Sequence, residues 1–237
     1  NGLDMLNISC SITRNDVLHI LSQLLQANGY RDAYVRLNVS AGIGDVGLQV
    51  EQYTHPTIIM YMKRIPAFAE EKVCQTLQVK RNTPEGCIRL KSHHYLNNIL
   101  GKREIGHHPN VEGIFLTEEG CVAEGIVSNI FWVKDDVVYT PAVQTGILNG
   151  VTRMFVIDLL HSWGIRVEEG FYSLQQLKSA DEIFLTNSIQ EVVPVCRLDE
   201  NIYPGKCGEI TKRLQRAYAS FTTHLWTRYD RKDGYVN

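Results

Sequence analysis

Four strand-like stretches, at 112–117, 121–126, 128–134 and 137–140, follow one another with little more than the turns Glu119-Gly120 and Asp135-Asp136 between them. Strands joined by such short turns pair antiparallel, because a parallel pair needs a crossover of about a dozen residues or more. A regular β-α-β winding is therefore excluded for this half of the chain, and the mixture of hairpins with helices makes the fold class α+β.

The other elements follow from period and punctuation. Residues 13–29 read as an amphipathic helix: Val17, Leu18, Ile20, Leu21, Leu24 and Leu25 keep helical spacing, and Gly29 stops it. Thr13 and Asp16 have capping-box spacing, with Asp in place of the usual Glu. Strands are expected at 33–40 and 56–63, with a shorter one at 76–80. Pro84-Glu85-Gly86 marks a turn, which divides the chain into a small N-terminal domain, 1–83, and a larger C-terminal domain, 84–237. The larger part continues with a helix at 92–105, a helix at 151–163 stopped by Gly164, and a short helix at 173–179. Strands at 182–187 and 192–198 and a helix at 207–225 complete it, with no internal repeat or low-complexity tract.

Several function classes drop out. The net charge is −2, so no basic excess draws the chain to nucleic acid or to an anionic membrane surface. The run Ile58-Ile-Met-Tyr-Met62 is too short to cross a bilayer, and Asn1-Gly-Leu-Asp4 lacks the form of a signal peptide. The chain opens without methionine in what reads as the middle of a fold, so a preceding segment is expected. Six cysteines, at 10, 74, 87, 121, 196 and 207, form no C-x-x-C pair and read as reduced thiols of a cytoplasmic protein.

Gly42-Ile-Gly-Asp-Val-Gly47 matches G-x-G-x-x-G after a strand, but no helical period follows to receive a pyrophosphate; a glycine-rich hairpin loop is the better reading. His93-His94 and His107-His108 lack the spacing of a metal site, and no metal is expected. No G-x-S-x-G or phosphate-loop signature occurs. Glu124 alternates in step with Val122 and Ile126. If that face is buried, its carboxylate needs a cation or strong donors; if the opposite face is buried, Glu124 is solvated. Gly146-Ile-Leu-Asn-Gly-Val-Thr152 opens a helix whose free N–H groups suit an anion, and Thr186-Asn-Ser188 ends a strand with small donors. Both clusters also fit ordinary capping and turn chemistry. Lys91 stands at a helix start, where a lysine is usually solvated; it matters chemically only where its amine is neutral enough to form a Schiff base.

These features share one order: lysine, glutamate, Gly-Val-Thr at a helix start, then Thr-Asn-Ser. That order resembles the fold-type IV pyridoxal-phosphate enzymes, which include branched-chain and D-amino-acid aminotransferases and aminodeoxychorismate lyases. The similarity is strongest to the bacterial aminodeoxychorismate lyases, through Asn82-Thr-Pro-Glu-Gly86, Arg89-Leu-Lys-Ser-His-His-Tyr-Leu-Asn-Asn98, Ala123-Glu-Gly-Ile-Val-Ser-Asn-Ile-Phe-Trp132 and Gly146–Arg153. The resemblance implies a small α/β domain, a larger pseudo-barrel domain, pyridoxal 5'-phosphate as cofactor, and a homodimer. It implies that Lys91 holds the cofactor covalently and moves protons, and that Glu124 contacts its pyridine nitrogen. Val151 and Thr152 would hold the phosphate, Asn187 and Ser188 would add donors, and Leu148 would pack on the ring. The implied reaction on a small-molecule substrate is conversion of 4-amino-4-deoxychorismate to 4-aminobenzoate and pyruvate in folate synthesis, with an amino-acid aminotransferase as the alternative. Ala41 stands where D-amino-acid aminotransferases place an arginine for the substrate carboxylate, which counts against that branch.

Overall fold

The structure is a computed structural model that describes residues 2–67, 69–222, 225, 227 and 230. It divides into two compact units, Asn1–Ala67 and Phe68–Asn237.

The first unit begins with a short helix, α1 (Gly2–Met5), and continues into α2 (Arg14–Asn28). The hydroxyl of Thr13 accepts the N–H of Asp16 at 3.2 Å, and the Asp16 carboxylate accepts the Thr13 N–H at 2.8 Å. This reciprocal cap satisfies two otherwise orphaned donors and is worth about 1 kcal/mol. Gly29 closes the helix in the left-handed conformation, φ 64°, which a side chain would strain. Strands β1 (Tyr34–Ser40) and β2 (Thr57–Lys63) then pair antiparallel, from Tyr34↔Lys63 to Ser40↔Thr57. No helix starts at Gly42–Gly47, which lies in the loop joining the two strands.

The second unit holds, among the described residues, a nine-stranded mixed sheet. In chain order its elements are β3 (Lys72–Thr76), α3 (Leu96–Ile105), β4 (Val111–Leu116), β5 (Val122–Gly125), β6 (Asn129–Lys134), β7 (Val137–Pro141), α4 (Val151–Ser162), β8 (Val167–Gly170), α5 (Leu174–Lys178), β9 (Glu182–Asn187), β10 (Glu191–Leu198), β11 (Asn201–Ile202) and α6 (Glu209–Thr222). The strands lie in the order β5-β4-β3-β10-β9-β6-β7-β8, with β11 beside β10. The ends of that path curl toward each other: Val122 N–H donates to Tyr172 O at 2.7 Å, and Cys121 bridges Ser173 just beyond β8. This near-closure gives the barrel-like form expected of the fold.

Alternation along the strands sorts two cores. Ile130 and Trp132 of β6 join Ile183, Leu185, Val193 and Val195 on one face. Phe131 and Val133 turn to the other face, where Phe184, Phe155, Val156, Leu160 and Leu214 pack the sheet against α4 and α6. Phe131 stacks on Phe184 with centroids 5.0 Å apart.

Four expectations shift. The strand expected at 76–80 lies at Lys72–Thr76, paired parallel with both β4 and β10. The amides of Gln78 and Val79 leave the ladder because the Glu104 carboxylate of α3 accepts them at 2.6 and 3.1 Å. Since β3 is built into the large sheet, the units part between residues 67 and 68, ahead of the 83/84 boundary expected from the proline turn. The helix expected from Ser92 starts at Leu96, since the Ser92 hydroxyl accepts the His94 amide and holds 91–93 in a bend. The last helix ends at Thr222; residues 223 and 224 of the expected span lie outside the described residues.

Candidate active site

The predicted site residues Lys91, Glu124, Leu148, Val151, Thr152, Asn187 and Ser188 all lie in the second unit. Past β3, residues 77–81 run along β4, with Leu77 N–H on Ile114 O at 2.9 Å and Arg81 N–H on Leu116 O at 2.8 Å. This carries Arg81 to the adjacent strand β5 and its Glu124. Every residue of β5 is buried, on both faces, so the choice between a buried and a solvated Glu124 resolves toward burial at 4% exposure.

A carboxylate so enclosed must be satisfied internally. Its Oε1 receives Arg81 Nε at 2.9 Å and Arg81 Nη2 at 2.8 Å. Its Oε2 receives the Leu148 N–H at 3.0 Å and Asn129 Nδ2 at 3.3 Å. Arg89 Nε lies farther off, 3.9 Å from Oε1. Burial pushes the Glu124 carboxyl above the usual range, and the charge and hydrogen bonds of Arg81 lead the opposing effects. The Arg89 guanidinium is pushed down, first by burial and then by Arg81.

The segment before Lys91 passes Leu148. Arg89, two residues earlier, forms a parallel bridge with Leu148 and donates from Nε to Gly146 O at 2.6 Å. Its Nη2 also donates to Asn82 O. The same Leu148 whose N–H meets Glu124 therefore aligns the segment leading to Lys91. Lys91 itself lies exposed in the bend before α3.

Two residues past Leu148, Gly150 caps α4 with no side-chain hydrogen bond, leaving the first N–H groups of that helix for another acceptor. A Cβ at Gly150 would collide with Asn129 Oδ1, so close approach favours glycine there although its backbone is in an ordinary extended conformation. Val151 is 63% exposed at the helix start and Thr152 is buried. Asn129 ties the parts together: it donates to Leu148 O at 2.7 Å and stands opposite Thr186 in the β6–β9 register. Beyond Thr186, the side-chain Oδ1 of Asn187 accepts the N–H groups of Ile189 and Gln190 at 2.9 and 2.7 Å. Asn187 is thus committed to the β9–β10 turn, while Ser188 is exposed in it. The Thr186 hydroxyl is buried with no hydrogen-bond partner among the described residues.

A concavity of about 370 Å³ opens beside the site, lined by Tyr95, Asn98, Ile126, Val127, Lys72 and Glu112 among others. Glu112 is buried and accepts the Val127 N–H at 3.1 Å, which anchors the loop after Glu124. Burial pushes the Glu112 carboxyl up and the Lys72 amine down. His93, His94, His107 and His108 form no cluster, and no group of three or more metal-ligating side chains occurs among the described residues. No described helix is long and apolar enough to cross a membrane.

Residues 1–198 match the model of the amino-transferase class IV family. The chain belongs to that family. It is 46% identical over 221 residues to the aminodeoxychorismate lyase of Bacillus subtilis strain 168, covering 92% of this chain and 75% of that protein. Among solved class IV structures, the Escherichia coli branched-chain amino acid aminotransferase superposes with a TM-score of 0.78 at 27% identity, covering 99% of this chain and 78% of that one. The T.th. branched-chain amino acid aminotransferase, complexed with N-(5'-phosphopyridoxyl)-L-glutamate, superposes with a TM-score of 0.76 at 26% identity over 93% of this chain and 74% of that one. Family membership and these superpositions agree with the curled mixed sheet. Sequence reasoning assigned no role to Arg81, Arg89 or Asn129. Nothing in their spacing separates them from surface residues; the signal lies in the buried carboxylate that needs them.

Proposed function

We propose that this chain is a pyridoxal 5'-phosphate-dependent lyase that converts 4-amino-4-deoxychorismate to 4-aminobenzoate and pyruvate. The observation that carries the reading is Glu124, a buried carboxylate surrounded by donors on the strand next to the Lys91 approach, in a chain 46% identical to a lyase of that name.

The residues present fit the cofactor. Gly150 leaves helix N–H groups uncapped for a phosphate, the buried Thr186 hydroxyl lacks a partner among the described residues, and Glu124 is an acceptor inside the fold. Lys91 would hold the cofactor covalently, Val151 and Thr152 its phosphate, and Leu148 one face of its ring. Ser188 and Asn187 would contribute from the β9–β10 turn, Asn187 through backbone because its side chain is engaged there. When bound, the cofactor supplies a sink for the electron pair released at the amine-bearing carbon. Glu124 keeps the proton on the ring nitrogen, which makes that sink effective. Lys91 takes the proton from the substrate carbon and stays near to exchange the product. The C–O bond to the enolpyruvyl group then breaks, the ring becomes aromatic, and the departing oxygen gains a proton. The two products together have the atoms of the substrate, so no co-reactant is required.

A homodimer in the cytoplasm belongs to the same reading. Leu96 and Val127 beside the site are 66% and 59% exposed, which suits a covering partner, and all six cysteines are free. An amino-acid aminotransferase is the second reading, supported by the match to the Escherichia coli enzyme over nearly the whole chain. Full-length protein supplied with cofactor and aminodeoxychorismate should release 4-aminobenzoate and pyruvate in equal amounts without a 2-oxoacid. Absence of 4-aminobenzoate would overturn the lyase assignment.

A further inference from the structure

Glu124 has an acceptor's surroundings on every side. A carboxylate offers about four lone-pair positions. Here Arg81 Nε and Nη2 take Oε1, and Leu148 N–H and Asn129 Nδ2 take Oε2. A protonated carboxyl would have to donate its own hydrogen, and none of these partners can accept it. The geometry therefore describes an ionised group, in spite of its burial.

Arg81 is held as firmly as it holds. Its Nη1 donates to Asn97 Oδ1 at 2.7 Å, with Asn82 and Asn98 at 3.3 and 3.4 Å. Its guanidinium lies over the Phe115 ring, 5.2 Å from the centroid. Asn97 and Asn98 belong to the first turn of α3, immediately after the Lys91 bend. Arg81 thus joins the lysine side of the site to the glutamate side. Arg89 cannot replace it, because its Nε is committed to Gly146 O at 2.6 Å and lies 3.9 Å from the carboxylate.

We propose that Arg81 is a positioning residue for the cofactor's ring nitrogen: by taking Oε1 with two donors, it presents Glu124 as an ionised acceptor whose Oε2 is available to a protonated ring. The proposal rests on the pyridoxal-phosphate reading above. Asn129 supplies the opening, since its 3.3 Å contact with Oε2 is the longest of the four and it keeps Leu148 O at 2.7 Å. A carboxylate shared between two cations through different oxygens gains more from each near attraction than it loses to the more distant repulsion. Without Arg81 the buried carboxyl keeps a proton of its own and no longer fixes one on the ring.

The test uses the full-length chain. In cofactor-free protein labelled with ¹³C at glutamate carboxyls, the Glu124 signal is identified by its absence from Glu124→Gln. It should have the shift of an ionised group at neutral pH, move to the protonated position in Arg81→Gln, and remain ionised in Arg81→Lys, titrating at higher pH than in wild type. With ¹⁵N-labelled cofactor bound, the ring nitrogen should be protonated in wild type and Arg81→Lys but not in Arg81→Gln, whose turnover should fall roughly tenfold or more. A protonated Glu124 in the neutral wild-type protein overturns the proposal without any variant. So does Arg81→Gln with an ionised Glu124 and a protonated ring. Should Arg81→Gln not fold, an unchanged Glu124 titration in Arg81→Lys overturns it. A protein that binds no cofactor, yet shows Arg81-dependent ionisation of Glu124, refutes the cofactor reading and leaves the Arg81–Glu124 linkage standing.

Discussion

Arg81 delivers Nε and Nη2 to the same oxygen of Glu124, at 2.9 and 2.8 Å, with both side chains about 95% buried. Two consequences follow for substitution at Glu124. Glu124→Gln removes the anion while leaving the guanidinium enclosed, and breaking a buried pair from one side destabilises by roughly 3–5 kcal/mol. Catalysis should suffer separately: loss of a charged hydrogen bond worth about 1.5–3 kcal/mol slows turnover at least roughly tenfold. Urea unfolding and steady-state rates check the two effects. Near-normal turnover in this variant would assign the ring nitrogen to another group.

Lys91 is the proposed covalent site, carried on the segment that Arg89 aligns against Leu148. Full-length protein with cofactor should show a visible absorption band that borohydride bleaches. Peptide mapping should then place the reduced adduct on Lys91. Recovery of the adduct on Lys80 or Lys102 would remove Lys91 from the site.

The fold was legible where local rules and tertiary packing agree. Thr13 and Asp16 announced a capped helix because both halves of the cap lie within one turn. The strand at Glu182–Asn187 carries apolar residues on both faces, and it appears where it was expected. β8 was missed because Val167-Glu-Glu-Gly170 is a short, charged edge strand, recognisable only through its parallel pairing with β7. The strand before Arg81 was misplaced because Glu104, distant in sequence, decides which amides join the ladder. The site divides the same way. Lys91 and Glu124 sit in recognisable runs, and alternation raised the burial question for Glu124. The answer depends on Arg81, 43 residues away, whose surroundings no local pattern displays.

Gly150 is required by Asn129, which occupies the space a Cβ would enter. Gly150→Ala should displace the Asn129 amide from Leu148 O and Glu124 together. Overpacking of this kind destabilises by about 1–3 kcal/mol. Cofactor affinity should fall with it, since the helix N-terminus and Glu124 both move. Titration of cofactor into the variant checks this; wild-type affinity with unchanged stability would show that the loop relaxes freely.

Glu112 predicts a pH dependence outside the reacting groups. Burial raises its carboxyl in the folded chain, so the folded state holds a proton that the unfolded state has released. Its contribution to stability is full below the ordinary carboxylate range and is lost as pH rises through the raised folded value. Glu112→Gln can still accept the Val127 N–H but cannot ionise. The stability of wild type relative to this variant should therefore decline with pH across that window. Urea unfolding at a series of pH values measures it, and a constant difference from acid to neutral pH would contradict the burial argument.

The last prediction separates lyase from aminotransferase, whose first step is common to both. On the proposed assignment Lys91 would remove the proton from the amine-bearing carbon in each, and Glu124 would hold the ring nitrogen protonated, so neither residue would decide the outcome. The difference lies in what leaves. An aminotransferase must hydrolyse its substrate to a 2-oxoacid and keep the amino group on the cofactor. A lyase expels the side chain and returns the cofactor unchanged, as the atom balance of aminodeoxychorismate permits. Offered D-alanine or L-leucine alone, the full-length enzyme should keep its visible band for many times the period of one lyase turnover. Rapid loss of the band with release of a 2-oxoacid, and no 4-aminobenzoate from aminodeoxychorismate, would place this chain with the aminotransferases.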